Sequence, residues 1–363
     1  MPDRPRLTPS IADVRRAVRG ALSRFSGGSA PISGEESHSD RHPGGAVSSS
    51  QRNSGETTLV LVALSGGPDS LALAAAVAFE APRAALRAGA VIVDHGLQSG
   101  SAQVAARAAE QAAELGLSPV LVERVQVSGR GGPESGARDA RYAAFERAVA
   151  DSGSVAILLG HTLDDQAETV LLGLARGSGA ASLQGMAPVR GPYLRPLLGI
   201  RRSTTVQACE DAGLTPWTDP QNADRTFTRV RVREIVLPML ERELGPGVAE
   251  ALVRTAEQLR EDAEALDAFA DELAEDLAEH AEAGISLDVP ALAANPPALR
   301  QRLIRLAVSS EFGVALTRQQ TLEVARLVTD WHGQEGVDLP GVRVVRREGR
   351  VVFQQAKGSD GTA

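Results

Sequence analysis

The feature that most constrains this chain is an alternation of short apolar runs with helical patterns. Apolar runs at 58–64, 88–93, 119–127 and 154–159 precede helical patterns that begin at Asp69, Ser101, Ser135 and Asp164. Strands that read as continuous apolar runs are covered on both faces, and strands separated by helices build a parallel sheet. The expected fold class is therefore α/β, a doubly wound parallel sheet reaching to about residue 240. Ahead of it, Ile11, Val14, Val18, Leu22 and Phe25 recur on one helical face behind Ser10, a candidate cap. Beyond it, residues 248–281 read as one long acidic amphipathic helix, or two with a kink. Helices are expected at about 298–312 and 318–329, and the alternation around Arg347-Glu348-Gly349 reads as a β-hairpin over 337–354.

Five segments follow from this pattern. They are an N-terminal helix at 1–25 packed on the α/β domain, an insertion at 26–57, the α/β domain at 58–240, a smaller and mostly helical domain at 241–355, and a tail at 356–363. Of the 32 residues of the insertion, 15 are Ser or Gly and four are apolar, too few to offset the entropy of ordering, so disorder is expected there. No apolar run approaches the ~20 residues of a membrane span, and no apolar core follows the N-terminal charges. A cytoplasmic chain with no membrane partner is the expectation.

Composition removes several chemistries. One cysteine, Cys209, excludes a disulfide framework, a cysteine zinc site and any mechanism needing two thiols. Lys357 in the tail is the one lysine among 38 basic residues, so a Walker A loop and Schiff-base catalysis are excluded too. The net charge of −8 is local, because eleven acids face two arginines between 254 and 282. The rest of the chain is balanced and arginine-rich, which is compatible with a nucleic-acid partner.

The sharpest motif is Ser65-Gly66-Gly67-Pro68-Asp69-Ser70, set between the first strand and its helix. Glycines there permit a tight turn and bare N–H groups, and the helix N-terminus adds partial positive charge, a combination suited to phosphate. A plain strand–turn–helix with a Ser/Asp cap has the same letters. Asp94-His95 and Gly160-His161 end two further strands, so all three elements fall on the carboxyl rim of the sheet, where ligands of open α/β folds bind. Asp164, Asp165 and Glu168 open the fourth helix. Asp165 and Glu168 are three apart and share a face; they suit Mg²⁺ or a cationic substrate, or serve simply as favourable acids at a helix N-terminus.

The Ser-Gly-Gly-x-Asp-Ser loop resembles that of the N-type ATP pyrophosphatases. The stretches 93–97, 134–142, 160–169, 171–179, 195–198, 217–222 and 227–233 together resemble the tRNA(Ile)-lysidine synthase family. The likeness spans about 290 residues by the motifs named. It implies ATP-dependent ligation of free L-lysine to C2 of the wobble cytidine of tRNA(Ile) with a CAU anticodon. An adenylated cytidine is the intermediate, AMP and diphosphate are released, and decoding changes from AUG to AUA. It also implies ATP as substrate, Mg²⁺ held by Asp69 or Asp165, and ATP contacts from 65–70, Asp94, His95 and His161. Lysine or catalytic roles are implied for Asp165, Glu168, Arg138 and Asp164. Contacts to tRNA are implied for Arg141, Arg176, Arg225, Arg229, Arg231 and Arg233. Read as extended chain, the last three arginines share one face, suited to a phosphate track; a homodimer is left open.

The chain departs from the family pattern in having Val230 where asparagine is usual and in the insertion at 26–57, and the further C-terminal domain of the longer family members is not expected in it. Related tRNA thiolation enzymes need cysteine pairs, and amidating relatives need a glutaminase cysteine; the single Cys209 fits neither. A catalytically silent tRNA-binding module would keep the arginines without needing Ser65, Asp69, Asp165 and Glu168 together.

Overall fold

The structure, a computed structural model, describes residues 7–25, 57–96, 100–126, 133–177, 179–219, 224–281 and 284–356. The expected insertion and tail, apart from residues 57 and 356, lie outside the described residues, as do parts of the motifs at 97, 178 and 220–222. The chain divides into two compact units between Leu259 and Arg260.

The first unit begins with α1 (Pro9–Leu22), capped by the Thr8 side chain rather than Ser10, with Pro9 in the first turn where a missing N–H costs nothing. There follow β1 (Leu59–Ala63), α2 (Pro68–Glu80), β2 (Arg87–Asp94), α3 (Ser101–Glu114), β3 (Val120–Arg124), α4 (Pro133–Ser152), β4 (Ala156–Leu158) and α5 (Leu163–Arg176). Short elements come next: α6 (Ala180–Leu183), β5 (Val189–Arg190), β6 (Tyr193–Leu194), α7 (Arg202–Asp211), α8 (Thr228–Arg231) and α9 (Leu237–Leu244). The sheet order is β3-β2-β1-β4-β6-β5, parallel except for the edge strand β5. Successive residues of β1 face opposite ways. Val60 and Val62 enter a core with α1, α2 and α3, whereas Leu59 and Leu61 enter another with Phe145 of α4 and Tyr193. Burial of β1 on both sides is what a continuous apolar run requires.

Helix α10 (Val248–Leu277) carries the chain into the second unit. There β7 (Ala278–Ala281), β8 (Gly284–Asp288), α11 (Val289–Ala294), α12 (Pro297–Phe312), α13 (Arg318–Thr329), β9 (Val337–Leu339), β10 (Val342–Arg347) and β11 (Arg350–Gln355) follow. The antiparallel sheet β7-β8-β11-β10-β9 contains the expected hairpin as β10 and β11. Two expectations need correction. The acidic helix stops at Leu277, and the region is less purely helical than its sequence suggests, because 278–281 become an edge strand. Strand β8 buries Ile285 and Leu287 against β11, and β7 pairs with it, so tertiary pairing overrides helical propensity.

Candidate active site

Strand β1 has β2 on one side and β4 on the other, so the chain switches sides of β1 between its first three strands and its fourth. The crevice of an open α/β sheet lies at such a point, beyond the carboxyl ends. The loop 65–70 leaves β1 there. Gly66 has φ +82°, a left-handed conformation that favours glycine, and Gly67 is the N-cap of α2. Ser70 turns inward rather than toward a ligand. Its Oγ accepts the Ser65 N–H at 3.2 Å, lies 3.1 Å from Ser65 Oγ and donates to the Gly67 carbonyl at 3.0 Å. From the far side, Gly160 comes so near that a Cβ would lie 3.1 Å from backbone atoms of Asp69 and Ser70. The Trp217 N–H donates to the Gly66 carbonyl at 2.9 Å, tying the segment after α7 to the loop.

The rim residues have distinct surroundings. Asp94 is buried and accepts the Gly96 N–H at 3.0 Å; a hydrogen bond from Ser101 holds its carboxyl below the usual range. His95 is partly buried, with Arg141 Nε 3.4 Å from its Nε2. Burial drives His161 down to about 4, and Arg195, Arg229 and Arg138 add to the effect against Asp165. Its imidazole is neutral at pH 7.

Helix α5 begins with a capping box: Thr162 Oγ1 accepts the Asp165 N–H at 3.4 Å, and Asp165 accepts the Thr162 N–H at 2.9 Å. Asp164 turns to α7, accepting the Arg202 N–H at 2.7 Å and pairing with Arg201 at 3.3 Å. Asp165 and Glu168 enter an arginine network. Arg202 Nε is 3.0 Å from Asp69 and its terminal nitrogens are 2.7 Å from Asp165 and 3.7 Å from Glu168. Arg233 bonds Glu168 at 2.6 and 3.0 Å, and Arg229 lies 3.3 Å from the same carboxylate. Thr205 also donates to Asp69. Glu168 has no exposed surface. Burial pushes the Asp69 and Glu168 carboxyls up against the pull of Arg202 and Arg233. For Asp165 burial acts the same way, but Arg202 and the Thr162 amide outweigh it and hold it low.

The extended arginine track is a correction. Arg229 and Arg231 lie in α8, and Arg233 follows in a π-helical stretch, Val232–Val236. The alternating valines suggest a strand, but Val230 and Val232 are buried helical positions. Four residues apart, Arg229 and Arg233 turn to one side and meet Glu168, while Arg231 stays outside, donating to the Arg225 and Thr226 carbonyls at 2.9 and 2.7 Å. Arg225 is exposed and pairs with Glu234 at 3.3 Å. Arg138 lies over the Tyr142 ring at 5.0 Å. Arg176, in the last turn of α5, is about 16 Å along the helix from Asp165 and does not join the cluster.

Arg202 is the residue that sequence reading misses. It reaches Asp69 across 133 positions, and no local spacing signals such a contact. A small cleft beside the network is lined by Asp164, Glu168, Arg201, Arg233 and Glu241. Among the described residues, no group of three His, Cys, Asp or Glu side chains is placed to hold a metal ion. Cys209 is fully buried, and burial pushes its thiol up to about 12, so it is no nucleophile.

A parallel sheet with a glycine-turned loop at its switch point, fronted by carboxylates, defines a PP-loop protein. The PP-loop domain family matches residues 46–240, and the TilS substrate binding domain matches 287–352. The tRNA(Ile)-lysidine synthase of Leifsonia xyli subsp. xyli is 65% identical over 81% of this chain and 89% of its own. That of Thermobifida fusca is 52% identical over 95% of this chain and 97% of its own. The chain belongs to the tRNA(Ile)-lysidine synthase family. The U34-tRNA thiolase NcsA from Methanococcus maripaludis, solved with its 4Fe-4S cluster, shares the fold at TM-score 0.51 and 19% identity, covering 69% of this chain and 80% of that one. No helix among the described residues is long and apolar enough to cross a membrane.

Proposed function

We propose that this chain ligates free L-lysine to C2 of the wobble cytidine of tRNA(Ile) with a CAU anticodon, consuming ATP and releasing AMP and diphosphate. The observation that carries this reading is the pairing, in one chain, of a PP-loop domain with the substrate binding domain of the family. The cytidine O2 attacks the α-phosphorus and diphosphate leaves; the ε-amine of lysine then attacks C2 and AMP leaves. The N–H groups at 66–70 stabilise charge on the departing diphosphate, with Asp94, His95 and His161 completing the nucleotide site. Asp69 or Asp165 would supply a hard oxygen donor of the kind that Mg²⁺ takes beside phosphate. Bound there, Mg²⁺ would neutralise charge on the leaving group.

Asp165 and Glu168 are assigned to the lysine side chain, and Arg138 to its carboxylate or to an RNA phosphate. The incoming ammonium must lose a proton before attack, and one of these carboxylates can accept it. Arg141, Arg176, Arg225 and Arg231 are exposed and suited to RNA phosphates, whereas Arg229 and Arg233 are reassigned to holding Glu168. The test is mass spectrometry of tRNA(Ile) with a CAU anticodon after incubation with ATP, Mg²⁺ and lysine. A mass gain of one condensed lysine at the wobble cytidine is expected. Unmodified RNA with a folded enzyme would overturn the reading.

A further inference from the structure

The acid cluster is already neutral. Asp69, Asp165 and Glu168 carry three negative charges, and Arg202, Arg229 and Arg233 carry three positive charges within 4 Å of them. Asp164 is engaged separately by Arg201, and His161 beside Asp165 is uncharged at pH 7. A cation entering this site meets no net attraction. An ammonium placed on Asp165 or Glu168 must displace a guanidinium or leave the site with surplus positive charge in a poorly solvated place.

Of the three arginines, Arg202 alone also touches the phosphate loop. Its contact there, Asp69, sits in the first turn of α2, the helix whose N-terminus forms the anion cradle. The Arg202 side chain is 24% exposed, so it is not locked in the core. A triphosphate in the cradle offers paired anionic oxygens that the planar guanidinium can bind bidentately.

We propose that Arg202 is a positioning residue that makes lysine binding conditional on nucleotide. Without nucleotide it neutralises Asp165 and Glu168. With nucleotide bound it turns to the phosphates, and the cluster of three acids, left one negative charge in excess of Arg229 and Arg233, takes the lysine ammonium at Asp165 and Glu168. The inference rests on the lysine assignment above. It gives Arg202 a part in the order of binding, so that free lysine is held only where ATP is present to use it.

The experiment is calorimetric titration of L-lysine into the full chain, with and without Mg²⁺ and α,β-methylene-ATP, which cannot be cleaved at the α–β bond. Coupling between ligands that share a charged element typically amounts to about 5–150-fold in affinity, and a gain in that range on adding nucleotide is expected. Linkage requires lysine to tighten nucleotide by the same factor. Arg202→Gln should bind lysine without nucleotide, shrinking the factor to about threefold or less, whereas Arg202→Lys should retain the dependence because it keeps the charge. Wild-type protein that binds lysine equally well with and without nucleotide overturns the proposal, whatever the variants do. So does a folded Arg202→Gln protein with undiminished dependence. AMP release by the wild type with tRNA, ATP and lysine is measured alongside. Activity with nucleotide-independent lysine binding sinks the latch alone, whereas no AMP release sinks the functional reading beneath it.

Discussion

Arg233→Met tests whether the buried arginine network holds the site together. Arg233 gives Glu168 two hydrogen bonds, at 2.6 and 3.0 Å, and Glu168 has no contact with solvent. Removing one partner of a buried ion pair costs about 3–5 kcal/mol, because the other charge is left unpaired. Two facts reduce the figure here. Arg229 and Arg202 remain 3.3 and 3.7 Å from the carboxylate, and Arg233 is itself 27% exposed, so solvent screens part of its contribution. About 2–3 kcal/mol is expected. Trp217 and Trp331 are the two tryptophans, and Trp217 is bonded to the phosphate loop. In a Trp331→Phe background its fluorescence reports unfolding of the first unit alone. With a urea slope of about 2 kcal/mol/M, the midpoint should fall by roughly 1–1.5 M. Glu168→Gln in the same background removes the charge that Arg233 serves, so the double variant should be less destabilised than the sum of the singles by at least about 1.5 kcal/mol. Additive singles, or an Arg233→Met midpoint within about 0.2 M of the parent, would refute the network as a source of stability.

Gly160→Ala places a methyl 3.1 Å from loop backbone that cannot rotate away; a cost of about 1–3 kcal/mol and weaker nucleotide binding are expected, and unchanged ATP affinity would show that the loop yields freely. His161, held at about 4 in the fold, resists a proton that the unfolded chain takes up near its ordinary value of about 6.5. Its contribution is therefore complete above that value and is lost as pH falls toward 4. The loss is no more than about 3 kcal/mol, and denaturation of His161→Gln between pH 7 and 4.5 should show a shallower decline than wild type. Arg231→Glu should weaken tRNA binding and lower its salt slope by about one, because this arginine is exposed. Arg229→Glu should instead lower the melting temperature, since it sets a second carboxylate against Glu168; equal behaviour of the two variants would undo the distinction.

Much of this molecule is fixed by local pattern. The continuous apolar runs of β1, β2 and β4 require covered parallel strands, and the loop 65–70 must follow a strand and open a helix. The rim position of Asp94, His95 and His161 follows from the same periodicity, and the Thr162–Asp165 capping box lies within four residues. Other features depend on contacts between distant residues. Valines at 230 and 232 alternating with Arg229, Arg231 and Arg233 read equally well as strand or helix. The buried Glu168 selects helix by drawing Arg229 and Arg233 to one side. Residues 278–281 leave their helical pattern because β8 offers them a strand to pair with. Arg202 has no local mark, because its role is set by three carboxylates from two helices that only the folded sheet brings together. A chain's sequence encodes periodicity within a few residues directly, whereas charge neutralisation inside a site is a property of whatever the fold places within a few ångströms.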